Sequence, residues 1–244
     1  MIAILAAIVV AAVSGLPASC VGCSFANRDL RGADLSNTRY VGTSFAHADL
    51  RDASFRNANL AGASFNGADL RGADFSGAHL AGISLRHARI AGARFDTAEL
   101  AGIDLRDVLD GASDADARGV LHACAGCDLS GVKLAGRSLG GISIPGSDLR
   151  GVRANGVRLE GADLQGVDFR DADLRNADLR NARLCSYNDG DARDRIGCAT
   201  FEGADVRGAD LRGVTVCAHE QCTPLDAVTL RAHAHSGLAG ATLP

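Results

Sequence analysis

From Phe25 onward a large apolar residue returns every five positions, and that period excludes most folds. Phe25, Leu30, Leu35, Tyr40, Phe45, Leu50, Phe55, Leu60, Phe65 and Leu70 open a series that runs to Leu105. Two residues before most of them stands Ala, as at Ala33, Ala48, Ala53 and Ala58, with a polar residue between. Two residues after them comes a corner residue, often Gly, as at Gly32, Gly42, Gly62 and Gly67. Small-polar-large is strand alternation: the Ala and the large residue share one face and the polar residue takes the other. A helix needs a 3.6-residue period, which five does not match. Short strands and bends repeated in this way wind a chain into a solenoid with a continuous interior. That interior must be filled by Leu and Ala, because aromatics make up 4% of a chain that is 47% hydrophobic. Phe recurs at 25, 45 and 65 and again at 55, 75 and 95. Stacking of like residues at a spacing of twenty fits four units per turn, although a spacing of ten aligns much of the same pattern.

The register fails after Leu105, resumes at Leu129 and continues to Leu184. A second break spans Cys185 to Cys198, after which Phe201, Val206, Leu211 and Val216 give a last run. The resulting division is a signal segment 1–19, a first block 20–105, a loop insertion 106–123, a second block 124–216 with a loop at 185–198, and a degenerate tail 217–244. Arg137 occupies an inward small-residue slot and Ala154 a large-residue slot, which predicts an irregular start to the second block. Ser113 is placed to cap a short helix running towards His122. The aspartates of that insertion (Asp107, Asp110, Asp114 and Asp116) lack the spacing of a calcium loop and read as a solvated loop. The stretch Tyr187 to Asp194 reads the same way, and the tail shows no amphipathic helix.

Ala33-Asp34-Leu35, Ala68-Asp69-Leu70-Arg71-Gly72, Ala162-Asp163-Leu164-Gln165-Gly166 and Ala177-Asp178-Leu179-Arg180-Asn181 resemble the repeating unit of pentapeptide-repeat proteins. The resemblance covers most of residues 23–216. It implies an all-β fold, a right-handed quadrilateral parallel β-helix interrupted by two loop insertions, and so settles four sides. The family shares no catalytic residues, so the resemblance implies a protein that is not an enzyme and carries over no catalytic, metal or cofactor site. Family members that imitate DNA and protect gyrase often dimerise through a C-terminal element, and the tail offers none.

Residues Ile2 to Val13 are an unbroken apolar run, followed by Ser14-Gly15-Leu16-Pro17 and the small residues Ala18-Ser19. A spanning helix needs roughly 20 apolar residues, so the run reads as a secretory signal peptide. No Lys or Arg precedes it. Cys20 adds an alternative, lipidation at a bacterial lipoprotein site, which would attach the chain to a membrane through its N-terminus. The eight cysteines come in neighbouring pairs, and export favours disulfides over metal. The expected pairs are Cys20–Cys23, Cys124–Cys127, Cys185–Cys198 and Cys217–Cys222. The two C-x-x-C motifs lie about five coils apart in a four-sided stack, too far to share a zinc ion, and each stands where a block begins. His219 and Glu220 add possible ligands between Cys217 and Cys222, while His233 and His235 read as exposed tail residues.

The net charge of −4, from 25 Lys+Arg against 29 Asp+Glu, gives no electrostatic footprint for nucleic acid. The functional expectation is an exported, non-enzymatic surface in the bacterial cell envelope or periplasm that binds an unidentified protein partner, without a cofactor. The alternative is a cytosolic, DNA-shaped decoy for a type II topoisomerase such as gyrase. Disulfide exchange through Cys20 and Cys23 is a third reading.

Overall fold

The computed structural model describes residues 16–109, 112–122, 124–187, 196–218, 221–233 and 238–244. Most of the signal segment, Asp110, the loop from 188 to 195, His219, Glu220 and His235 lie outside these residues.

The chain coils into a right-handed, four-walled β-helix whose polar mid-strand residues pair in parallel at a spacing of twenty. Wall one stacks Ser24, Ser44, Ser64 and Ser84; wall two, Asp29, Asp49, Asp69 and Arg89; wall three, Asp34, Ser54, Asp74 and Arg94; wall four, Arg39, Asn59, His79 and Glu99. Along the regular walls the paired stretches are very short, because two of every five residues turn the chain. The ladder runs both ways: the Leu50 N–H donates to the Asp69 carbonyl at 2.8 Å, and the Asp69 N–H donates to the Ala48 carbonyl at 3.0 Å. A tight turn closes a regular corner, as where the Ala53 N–H donates to the Leu50 carbonyl at 3.1 Å. With both partners of each strand supplied by adjacent coils, the backbone polar groups of the walls are satisfied without lateral sheets.

The lumen is closely packed. Phe45, Phe55, Phe65, Phe75, Leu50, Leu60 and Leu70 are fully buried, and Ala fills the slots between them. Phe25, Phe45 and Phe65 form one ring stack and Phe55, Phe75 and Phe95 another, with centroids 4.9–5.4 Å apart. The two stacks meet edge to face at 5.6 Å, the offset geometry that aromatic quadrupoles favour.

The second residue of each corner is left-handed, which explains the run of Gly and Asn there. At Gly67 a side chain would also strike the imidazole of His47 in the preceding coil. Thr97 is the β-branched exception, at φ 55. We therefore expect Thr97→Gly to stabilise the protein by about 0.5–1 kcal/mol, read as a higher urea midpoint; an unchanged or lower midpoint would show that the corner tolerates branching.

The coil does not end at the first insertion. Asp104 pairs with Ser84 on one side and Asp128 on the other, and β1 (Leu100–Ala101) pairs in parallel with β2 (Cys124–Ala125). Walls one and four thus run straight through, while among the described residues walls two and three have no rung in this one coil. The segment 105–122 stands in for them, and its helix α1 (Asp114–Leu121) buries Ala117, Val120 and Leu121. With Val108 and Leu109 these join the core. The insertion is therefore a substitute wall, not a solvated loop. Ser113 caps α1 through a reciprocal box with Asp116.

The second block also starts in register: Leu134 and Leu139 are buried and Ala154 keeps its ladder bond. Arg137 causes no irregularity because its side chain leaves the small slot for the insertion. There it donates to the carbonyls of Leu109 and Ala112 at 2.6 and 2.9 Å.

At the far end two strands overrun their corners. β3 (Arg183–Tyr187) turns back as β4 (Ile196–Cys198), and β5 (Thr215–Ala218) as β6 (Gln221–Pro224), giving a sheet in the order β4-β3-β5-β6. The tail contains a short helix, α2 (Ala227–His233), that the sequence did not announce. Leu225, Leu230 and Leu238 bury against the core, and Thr242 adds a final rung on Asp210.

Candidate functional site

The outer walls and the substituted coil hold whatever this protein offers a partner. Along the walls, Asp and the Arg two residues later form forked pairs. Arg31, Arg51 and Arg71 hold Asp29, Asp49 and Asp69 at 2.6–2.7 Å, and Arg150, Arg175, Arg180, Arg207 and Arg212 repeat the arrangement higher up. An arginine also reaches the next coil, as Arg31 does to Asp49 at 3.7 Å. Stacked like charges are thereby neutralised within each coil.

Hydrogen bonds from the arginine side chains hold these carboxyls below their ordinary range, with Asp29 and Asp205 at about 2. A carboxyl depressed in the folded state contributes stability above its unfolded value of 3.8 and loses it as the pH falls. Stability should accordingly hold steady above about pH 5 and decline between about pH 4 and 2. Thermal melts across that window test this, and a flat melting temperature down to pH 2 would refute it.

The substituted coil is held by side chains doing the work of a ladder. The Asp116 carboxylate accepts the Gly92 N–H at 2.8 Å, and Asp114 accepts the Ser138 N–H at 2.8 Å. Arg118 donates to the Ser138 carbonyl at 2.5 Å. The insertion leaves an open notch of about 440 Å³ beside Arg71, His87, Arg89 and Asp107, with Ile90 and Val108 in its lining.

All eight cysteines are paired: Cys20–Cys23, Cys124–Cys127, Cys185–Cys198 and Cys217–Cys222. The last two join directly opposite residues of the β3–β4 and β5–β6 hairpins. Each C-x-x-C pair spans a corner. At the buried second pair, the Cys127 N–H donates to Ser147 Oγ at 3.0 Å, and Ser147 Oγ donates to the Cys124 carbonyl at 3.0 Å. One hydroxyl so serves both groups that a regular corner would join to each other. Thr43 stands equivalently above the first pair, donating to the Cys20 carbonyl at 3.3 Å. Cys124 and Cys127 do not mark an open end, because that coil has neighbours on both sides.

Among the described residues no group of three or more His, Cys, Asp or Glu is placed to hold a metal. No described helix is long and apolar enough to cross a membrane.

A four-walled coil of five-residue units, presenting paired charges outward around a sealed core, defines a class of binding and structural proteins. The model of the pentapeptide repeats family matches residues 41–77, 68–107, 127–166 and 155–186, in eight copies, and the chain belongs to that family. No curated protein sequence matches it. Among solved structures it is similar to QnrB1, a plasmid-mediated fluoroquinolone resistance protein, at 20% identity and a TM-score of 0.42 over 82% of each chain. It is also similar to a pentapeptide repeat protein of the Arabidopsis thaliana thylakoid lumen, at 30% identity and a TM-score of 0.33 over 44% of this chain and 80% of that one. HetL, involved in heterocyst differentiation regulation in the cyanobacterium Nostoc, is similar at 23% identity and a TM-score of 0.24 over 85% of this chain and 91% of that one.

Proposed function

We propose that this pentapeptide-repeat protein is exported and serves as a non-enzymatic scaffold in the bacterial cell envelope, its outer walls meeting a protein partner. The observation that carries the reading is the complete pairing of eight cysteines in four local disulfides, a pattern that belongs to oxidising compartments. The apolar leader before Cys20 supports it. Cleavage ahead of Cys20 leaves the Cys20–Cys23 bond intact, whereas a thioether-linked lipid on Cys20 would remove that bond alone.

Mass spectrometry of the intact native protein tests this. The expected species starts at or near residue 20 and carries no free thiol. A full-length chain with eight free thiols in the cytosol would overturn it.

A topoisomerase decoy would need runs of uncompensated carboxylates in place of phosphates. Here wall aspartates such as Asp49, Asp69 and Asp148 are forked by arginine, so supercoiling by gyrase should be insensitive to added protein.

A further inference from the structure

Walls two and three change sign at the substituted coil. Below it wall two carries Asp29, Asp49 and Asp69 and then Arg89; above it come Lys133 and Arg153 before Asp173 and Asp205 return. Wall three follows the same course, with Arg94 below and Arg158 above. The acidic insertion accounts for part of this basic band, since His87 faces Asp107 at 3.7 Å and Arg137 faces Asp114 at 3.4 Å.

The band extends beyond what the insertion occupies. Arg89 is 72% exposed, and its nearest carboxylate, Asp69, is 3.9 Å away and already forked by Arg71. Arg153 and Arg158 are exposed and have no ion-pair partner among the described residues. Against forked pairs elsewhere on the walls, this is a local excess of cation on a chain of net charge −4.

We propose that the middle of wall two, from the notch at Arg89 to Arg153, docks an extended acidic peptide segment of a partner protein. The kind of occupant is indicated by the chain itself. The gap already holds one acidic segment, whose carboxylates take up coil-edge N–H groups and pair with flanking cations. A second acidic strand alongside would find Arg89 and Arg153 on the same wall, three coil spacings apart. The notch gives one of its carboxylates a place beside Arg71 and Arg89. The inference rests on the reading that the outer walls meet a protein, but not on export.

The test is fluorescence anisotropy of the full, oxidised chain with a labelled dodecapeptide carrying Asp at alternate positions, against the same peptide with Asn. Binding to the Asp peptide at low salt, weakened by added salt, is expected. Arg89→Glu with Arg153→Glu should weaken it by about tenfold or more. Arg39→Glu with Arg231→Glu, the same charge change at exposed sites elsewhere, should leave it within about twofold. If the reversal variant melts early, Arg89→Gln with Arg153→Gln should still weaken binding by about threefold. Equal loss in the remote control, equal affinity for the Asn peptide, or no binding at low salt would overturn the site. So would tighter binding to single-stranded DNA or phosphatidylglycerol vesicles than to the peptide. None of these failures bears on the N-terminus and disulfide state that test the export reading.

Discussion

Phe65→Asp is expected to destabilise the protein by about 4 kcal/mol or more, and so to leave little folded chain at 37 °C. Phe65 is fully buried, stacked on Phe45 at 5.1 Å and edge-on to Phe55 and Phe75 at 5.6 Å. The substitution removes these contacts and leaves a carboxylate in the lumen with neither water nor a cation in reach. The matched change on the outside, Asp69→Ser, removes the fork to Arg71 but leaves both groups in contact with solvent. Its cost should stay under about 1 kcal/mol. Urea denaturation of the two variants at one pH measures the difference. Equal effects would mean that inside and outside have been assigned the wrong way round.

The second large effect falls on a residue with no charge. Ser147 is fully buried, and its hydroxyl is the hydrogen-bond partner of both the Cys124 carbonyl and the Cys127 N–H. Ser147→Ala strands both groups in the core, at about 1–3 kcal/mol each, so a loss of about 2–6 kcal/mol is expected. The cause can be separated from mere packing. In a background with Cys124→Ala and Cys127→Ala the corner is free to close its own turn bond, and Ser147→Ala should then cost much less. A double-mutant cycle by urea denaturation reads that coupling. A cost that is the same with and without the disulfide would remove the proposed link between the hydroxyl and the bridge.

What the sequence made legible, and what it hid, follows from the range of each interaction. The inward Leu and Phe, the outward Asp and the corners were readable because each is fixed within five residues. Ser113 was readable as a cap because its partner Asp116 lies three residues on. Asp114 and Asp116 were misread as solvated because their partners, Ser138 and Gly92, are neighbours in space alone. Arg137 looked like a packing fault for the same reason: the carbonyls it serves are 25 and 28 residues away. Thr43 and Ser147 could have been found. Each stands twenty residues after the second cysteine of a C-x-x-C motif, where the pattern calls for Ala. The tail helix α2, at seven residues, is too short for a helical period to emerge. The basic band became visible only when the walls were aligned across the insertion, where Asp104 meets Asp128 instead of a residue twenty positions on.

A solenoid distributes its stability as a chain of nearest-neighbour couplings, each coil bound to the next by the rungs they share. Between most neighbouring coils there are four rungs. Across the coil that contains α1 the walls supply two, from Asp104 to Asp128 and from Leu100 to Cys124, with the carboxylates of Asp114 and Asp116 bracing the remainder. By rungs between coils of the two repeat blocks, that junction is the weakest coupling among the described residues. Pulled from its ends, the protein should part there, dividing into a lower segment keyed by two long phenylalanine stacks and an upper one filled mainly by leucine, with the single pair Phe169–Phe201. Its two halves can thus fail one at a time, even though they stand as one column.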